Sequence, residues 1–185
     1  MPAAHVLPTS RRRWTGLGLV AAVLLAPAVA DGAPEPAPRV ETHITAGGEI
    51  VASLRLSAKP AAVREVLASA ERSHGLAPTT VSAKATADGP CERVKLKTRG
   101  LFTPFELETR RCPTARGFRE TLVASADFAE YWNEWILEDV DGGTRVVFRT
   151  RTVPKVAVPE ALIQTEARRV IVRLLTNLKA AVGTE

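Results

Sequence analysis

Apolar and polar positions follow two different periods along this chain. From Ile44 to Ala58, Ile50, Ala52, Leu54 and Leu56 alternate with Glu49, Val51, Ser53, Arg55 and Ser57, which predicts a half-buried strand. Lys59-Pro60 then opens a helix, with Val63, Val66 and Leu67 on its inner face. His74-Gly75 ends it, the glycine suiting a left-handed cap, and a short helical turn or loop is expected before Pro78. From Thr79 to Pro154 the period is two. Consecutive antiparallel strands are predicted at roughly 79–86, 91–99, 104–112, 117–125, 127–140 and 144–153. Turn chemistry separates them at Asp88-Gly89-Pro90, Gly100 with Pro104, Cys112-Pro113, Ser125-Ala126-Asp127 and Asp141-Gly142-Gly143. After Pro159 the period returns to that of a helix. Leu162, Ile163, Ala167, Val170, Ile171, Leu174, Leu175 and Leu178 form a broad apolar stripe, predicting a long C-terminal helix lying on the sheet.

The register of one hairpin can be set by charge. Aligning 91–99 with 104–112 so that Lys95 meets Glu108 and Lys97 meets Glu106 pairs Leu96 with Leu107 and Val94 with Thr109 on the other face. The same alignment puts Cys91 opposite Cys112 on the outward face, close enough for a disulfide. Carried further, it pairs Leu107 with Leu122, Phe118 with Trp135 and Trp135 with Phe148. Thr109, Glu120, Asn133 and Thr150 then make a polar stripe on the inward face, with Arg111 diagonal to Glu120. Leu107, Leu122 and Tyr131 bound it on one side; Phe118, Trp135 and Phe148 bound it on the other. A one-residue slip would turn the whole stripe to solvent, so a solvated charged face, a satisfied core network and a ligand-facing cluster are the three readings it admits.

The N-terminal segment alters the compartment. Arg11-Arg12-Arg13, the apolar run Leu17–Leu25 and the small residues Ala28-Val29-Ala30 predict a signal peptide over 1–30, cut after Ala30; a retained anchor is the alternative. Three of the five surplus positive charges lie there, so the cleaved chain carries +2, no footprint for nucleic acid. A Pro-rich linker is expected over 31–43, Asp31–Arg39 holding three prolines. Periplasmic or secreted residence favours bridging of the only two cysteines. Beyond the leader, only His43 and His74 remain among the histidines, and both read as surface residues. No metal site, cofactor motif or nucleophile elbow is legible. Glu120 is the single weak candidate for acid–base catalysis.

The order strand, helix, six antiparallel strands, long helix resembles the START-like helix-grip superfamily, in its polyketide cyclase/dehydrase and coenzyme Q-binding-like branch. The residues that carry the resemblance are Tyr131–Glu138 (YWNEWILE), Gly142–Phe148 (GGTRVVF), the proline-flanked Pro154–Pro159 and Leu174–Lys179 (LLTNLK). They span an expected domain over 44–182, and they are architectural motifs with no catalytic content. An export signal departs from the many cytosolic or organellar members. The resemblance implies an α+β fold in which a curved antiparallel sheet of six to seven strands wraps around the C-terminal helix and leaves an elongated cavity between them. An apolar ligand such as a lipid, quinone or polyketide is the implied partner. On this reading Leu107, Thr109, Phe118, Glu120, Leu122, Tyr131, Asn133, Trp135, Phe148 and Thr150 from the sheet, with Ile163 and Ala167 from the helix, are the ligand-binding candidates. No cofactor and no nucleic-acid partner is expected, and the same reading allows a transient membrane or envelope contact. The alternative is a cyclase, dehydratase or isomerase with Glu120 as acid–base and Asn133 or Tyr131 as hydrogen-bond donor. A third is an envelope module whose groove is filled by its own side chains.

Overall fold

The computed structural model describes residues 39–100 and 103–183. The expected signal peptide and linker residues 31–38 lie outside the described residues. The 44–58 segment is not one strand. Thr45-Ala46-Gly47-Gly48 turns the chain, with Gly48 at φ 77°, and Thr45 N–H donates to Glu49 O at 2.8 Å. The turn makes a hairpin of β1 (Glu41–Ile44) and β2 (Ile50–Leu56), so the last three residues of the expected linker are strand. Next comes α1 (Pro60–Ala68), with Pro60 in its first turn and Val63 and Leu67 buried. It stops at Ser69, whose hydroxyl accepts from Arg72 N–H at 3.2 Å and caps α2 (Ala70–Gly75). One expected helix is therefore two. Gly75 is not left-handed; the backbone N–H groups of Leu76 and Ala77 close α2 on the carbonyls of Ser73 and His74 respectively.

Six strands follow as a meander: β3 (Thr80–Asp88), β4 (Cys91–Arg99), β5 (Pro104–Thr114), β6 (Gly117–Ser125), β7 (Phe128–Val140) and β8 (Gly143–Pro154). With the N-terminal hairpin docked on β8 they form one antiparallel sheet of eight strands, ordered β1-β2-β8-β7-β6-β5-β4-β3, against the six to seven expected. The β7–β8 turn shows why its sequence is Gly-Gly: a Cβ on Gly143, at φ 151°, would stand 2.0 Å from the Leu56 carbonyl oxygen.

The β4–β5 register is the one that charge pairing predicts. Lys95 faces Glu108, Lys97 faces Glu106, and Leu96 and Leu107 meet on the buried side. Lys97 and Glu106 pair at 3.0 Å, while Glu108 takes the diagonal Arg93 at 2.9 Å in place of Lys95. Cys91 and Cys112 are bridged across a separation of 21 residues. The β5–β6 pairing differs from expectation. Leu107 faces Ser125 and not Leu122, a bulge follows Glu108, and Thr109 faces Leu122 while Arg111 faces Glu120. Phe118 faces Trp135, Trp135 faces Phe148, and Glu120 faces Asn133, which faces Thr150.

The C-terminal helix α3 (Glu160–Val182) covers the concave face. Its second half buries Ile171, Leu174, Leu175, Leu178 and Val182 against Ile50, Ala52, Leu54 and Leu56 of β2, Val146 and Phe148 of β8, and Val63 and Leu67 of α1. Each fully buried leucine there stabilises by about 1.5–3 kcal/mol. The first half is different. Ile163, Ala167 and Val170 are only half-buried, and Leu162, expected on the inner stripe, is exposed. Among the described residues no helix is long and apolar enough to cross a membrane.

Candidate functional site

The half-buried residues of α3 overhang a cavity of about 710 Å³ between that helix and the sheet. Its size lies within the range of small-molecule sites. Leu96, Phe105, Leu107, Phe128, Trp135 and Phe148 supply apolar wall from the sheet, and Ile163, Ala167, Val170, Ile171 and Leu174 supply it from the helix. The rings of Phe105 and Phe128 meet edge to face at 4.7 Å; those of Trp135 and Phe148 are tilted at 4.6 Å. Thr103, Asp127, Val156, Glu166, Arg169 and Arg173 lie along the outer rim.

One polar cluster interrupts the apolar wall. Period two puts Glu120 on the inward side of β6 and Tyr131, Asn133 and Trp135 on that of β7. The Glu120 side chain is 2% exposed and fully engaged. It accepts from the Thr109 hydroxyl and from Asn133 Nδ2 at 3.0 Å, and lies 3.0 Å from His74 Nε2. Asn133 Nδ2 also donates to Tyr131 Oη at 2.9 Å, and the Thr150 hydroxyl donates to the Trp132 carbonyl at 2.9 Å. Burial favours the neutral acid at Glu120, but the charge and hydrogen bond of His74 with the bonds from Thr109 and Asn133 outweigh it. The carboxyl is held below its ordinary range. At Tyr131 burial and then the Glu120 charge push the phenol well above its ordinary value, against the bond from Asn133.

Two residues depart from expectation here. His43 is exposed, but His74 is 11% exposed at its side chain and faces the cavity, because the break at Ser69 re-aims α2 and turns Ser73 and His74 toward the sheet. The sequence signal was Ser69 itself, an N-cap residue inside a helical stretch. Arg111, although opposite Glu120, pairs with Glu92 at 3.1 Å and donates to the Ala68 carbonyl at 3.2 Å and to that of Leu67. It thereby caps the C-terminus of α1, and its guanidinium lies 4.0 Å over the Phe118 ring. Burial lowers its pKa, opposed by Glu120 and Glu92.

Of the candidate residues, Leu107, Glu120, Tyr131, Asn133, Trp135, Phe148 and Thr150 line the cavity from the sheet, and Ile163 and Ala167 line it from α3. Thr109, Phe118 and Leu122 stand off its wall. Thr109 is buried behind Glu120, Phe118 is covered by Arg111, and Leu122 lies opposite Thr109, further along β6 than the expected register placed the cluster. Among the described residues no group of three or more His, Cys, Asp or Glu side chains stands together as metal ligands.

No protein-family model matches the chain, and no curated protein matches it in sequence. Solved structures match its shape. A START superfamily protein from Mycobacterium smegmatis aligns with a TM-score of 0.65 at 13% identity, over 73% of this chain and 97% of its own. A STAR-related lipid transfer protein from Xanthomonas axonopodis aligns with a TM-score of 0.65 at 15% identity, over 81% and 96%. The Zhui aromatase/cyclase from Streptomyces sp. R1128 aligns with a TM-score of 0.58 at 18% identity, over 72% and 90%. At such identities the likeness is one of fold.

Proposed function

We propose that this START-like helix-grip domain is an exported carrier that holds a hydrophobic small molecule between its sheet and the first half of α3. The observation that carries the reading is the cavity of about 710 Å³ under a helix half whose apolar side chains have no core to enter. An apolar guest completes that packing and removes Ile163, Ala167 and Val170 from water. Lipid transfer and aromatase/cyclase proteins among the structural neighbours support a hydrophobic ligand. Export is supported by the leader pattern over 1–30 and by the Cys91–Cys112 bridge, a bond that persists in oxidising compartments. The mature chain then begins at Asp31, which N-terminal sequencing of exported protein tests. Native mass spectrometry of protein loaded from a lipid extract tests the carrier role. A copurifying hydrophobe is expected, and a protein that stays empty against a broad lipid panel overturns the reading.

One observation favours the enzyme alternative: a carboxylate and a histidine in contact at a cavity wall, an arrangement suited to acid–base work. Against it, Glu120 is already ionised at neutral pH and both its oxygens are occupied, which leaves a poor acid and a weak base. Glu120→Gln separates the two. A carrier keeps its ligand, whereas a cyclase or isomerase loses turnover.

A further inference from the structure

The side-chain nitrogen of Asn133 carries two hydrogens, and the fold uses both. An ionised carboxylate only accepts, so the amide nitrogen and not its oxygen must face Glu120, at 3.0 Å. The remaining hydrogen goes to Tyr131 Oη at 2.9 Å. The tyrosine oxygen is thereby fixed as an acceptor, and its own proton must point elsewhere. Among the described residues no protein atom accepts that proton, and Tyr131 stands on the cavity wall. Burial and the nearby Glu120 charge keep the phenol protonated, so it remains a donor. The bond that Asn133 donates to the Tyr131 oxygen polarises the phenol toward donation.

We propose that Tyr131 is the polar anchor of the ligand. Within the carrier reading, on which this inference rests, the cavity takes an apolar molecule bearing a neutral carbonyl oxygen in preference to the matching hydrocarbon, carboxylate or ammonium. A hydrocarbon leaves the phenol proton unpaired inside an apolar site. A carboxylate brings a second negative charge beside Glu120. Beside the phenol an ammonium finds its acceptors already engaged, the Tyr131 oxygen by Asn133 and the Glu120 oxygens by Thr109, Asn133 and His74, and the carboxylates of Asp127 and Glu166 stand only at the outer rim.

The test is displacement of a fluorescent apolar dye by methyl laurate, laurate, laurylamine and dodecane, delivered to the intact mature protein at neutral pH. Methyl laurate is expected to bind about two- to tenfold more tightly than dodecane, the ratio that one buried neutral hydrogen bond supplies. Tyr131→Phe is expected to bring that ratio to about one, with dodecane bound at least as tightly as before, since no phenol proton is then left unpaired. An unaltered ratio in Tyr131→Phe, or tighter binding of laurate or laurylamine than of methyl laurate, overturns the anchor. Failure of every probe, dodecane included, to displace the dye overturns the carrier reading itself. The infrared carbonyl band of methyl laurate bound to the unmodified protein gives a second readout that needs no variant. It should lie below its frequency in hexane, and an unshifted band overturns the proposal.

Discussion

Replacing Glu120 with leucine isolates the polar cluster from everything else in the fold. The side chains are of similar length, so little volume is lost, but the acceptor for three neighbours disappears. Thr109, Asn133 and His74 each lose a bond in a site where Glu120 is 2% exposed and His74 11%. Removing one member of a buried charge pair costs about 3–5 kcal/mol. In a domain of this size the loss corresponds to a fall in Tm of roughly 6–20 °C. Glu120→Gln should cost less, since an amide keeps an oxygen that accepts from one of these neighbours. The pH dependence has a definite sign. The carboxyl is depressed in the folded protein, so its contribution is complete above the unfolded value of about 4.3 and is lost as pH falls through the lower folded value. The gap between the unmodified protein and Glu120→Leu should therefore be widest near neutrality and shrink on acidification below about pH 4. Urea unfolding followed by tryptophan fluorescence measures it, Trp135 being buried against Phe148. A neutral-pH difference under about 1 kcal/mol, or a gap that grows in acid, would refute the account of this cluster.

Three further substitutions probe other parts of the structure. Cys91→Ala/Cys112→Ala should lose about 3 kcal/mol, from the 21-residue separation that the bridge spans; in urea unfolding a reductant should lower the unmodified protein equally and leave the variant untouched. Arg111→Met leaves the Leu67 and Ala68 carbonyls unpaired at the end of α1 and should cost about 2–4 kcal/mol; if the Glu92 pair and not the helix cap dominates, the loss will vanish in high salt. Ala167→Trp should fill the space under α3 and weaken apolar dye binding at least about tenfold with Tm unchanged or raised. Undiminished dye binding would place the occupied site elsewhere.

The inward-facing set was legible in the sequence even where its pairing was not. Leu107 faces Ser125 and not Leu122, yet Thr109, Glu120, Asn133 and Thr150 are all buried as the alternation required. Past the bulge, the β5–β6 pairing differs from the expected alignment by two residues: Glu120 faces Arg111 in place of Thr109. A shift of two preserves every face because the side-chain period of a strand is two; only an odd shift would have inverted the stripe. Nothing comparable protects a loop. Gly47-Gly48 turned what alternation alone presents as one strand into a hairpin, and Ser69 split a helix. Each is a local hydrogen-bonding choice that a pattern of apolar positions does not register. His74 was misread for that reason: its position depends on the angle between α1 and α2, which no periodicity encodes.

The polar stripe also explains why the cavity does not close. Apolar residues at 109, 120, 133 and 150 would gain by drawing α3 down onto the sheet, as β2 and β8 do beneath its second half. Here the inward groups are tied sideways, Thr109 and Asn133 to Glu120, Glu120 to His74 on α2, and Thr150 to the Trp132 carbonyl. They offer α3 no apolar surface to cover, and moving them toward it would break bonds that burial makes expensive to lose. The helix is anchored at its C-terminal half by Leu174, Leu175, Leu178 and Val182, so its first half is held over a gap that its own side chains are too short to fill. The network that defines the polar end of the cavity is thus also what keeps the cavity open. That predicts an order of failure: weakening the network should allow the first half of α3 to collapse before the domain unfolds, so loss of dye binding should precede loss of tryptophan signal as Glu120→Leu is titrated with urea.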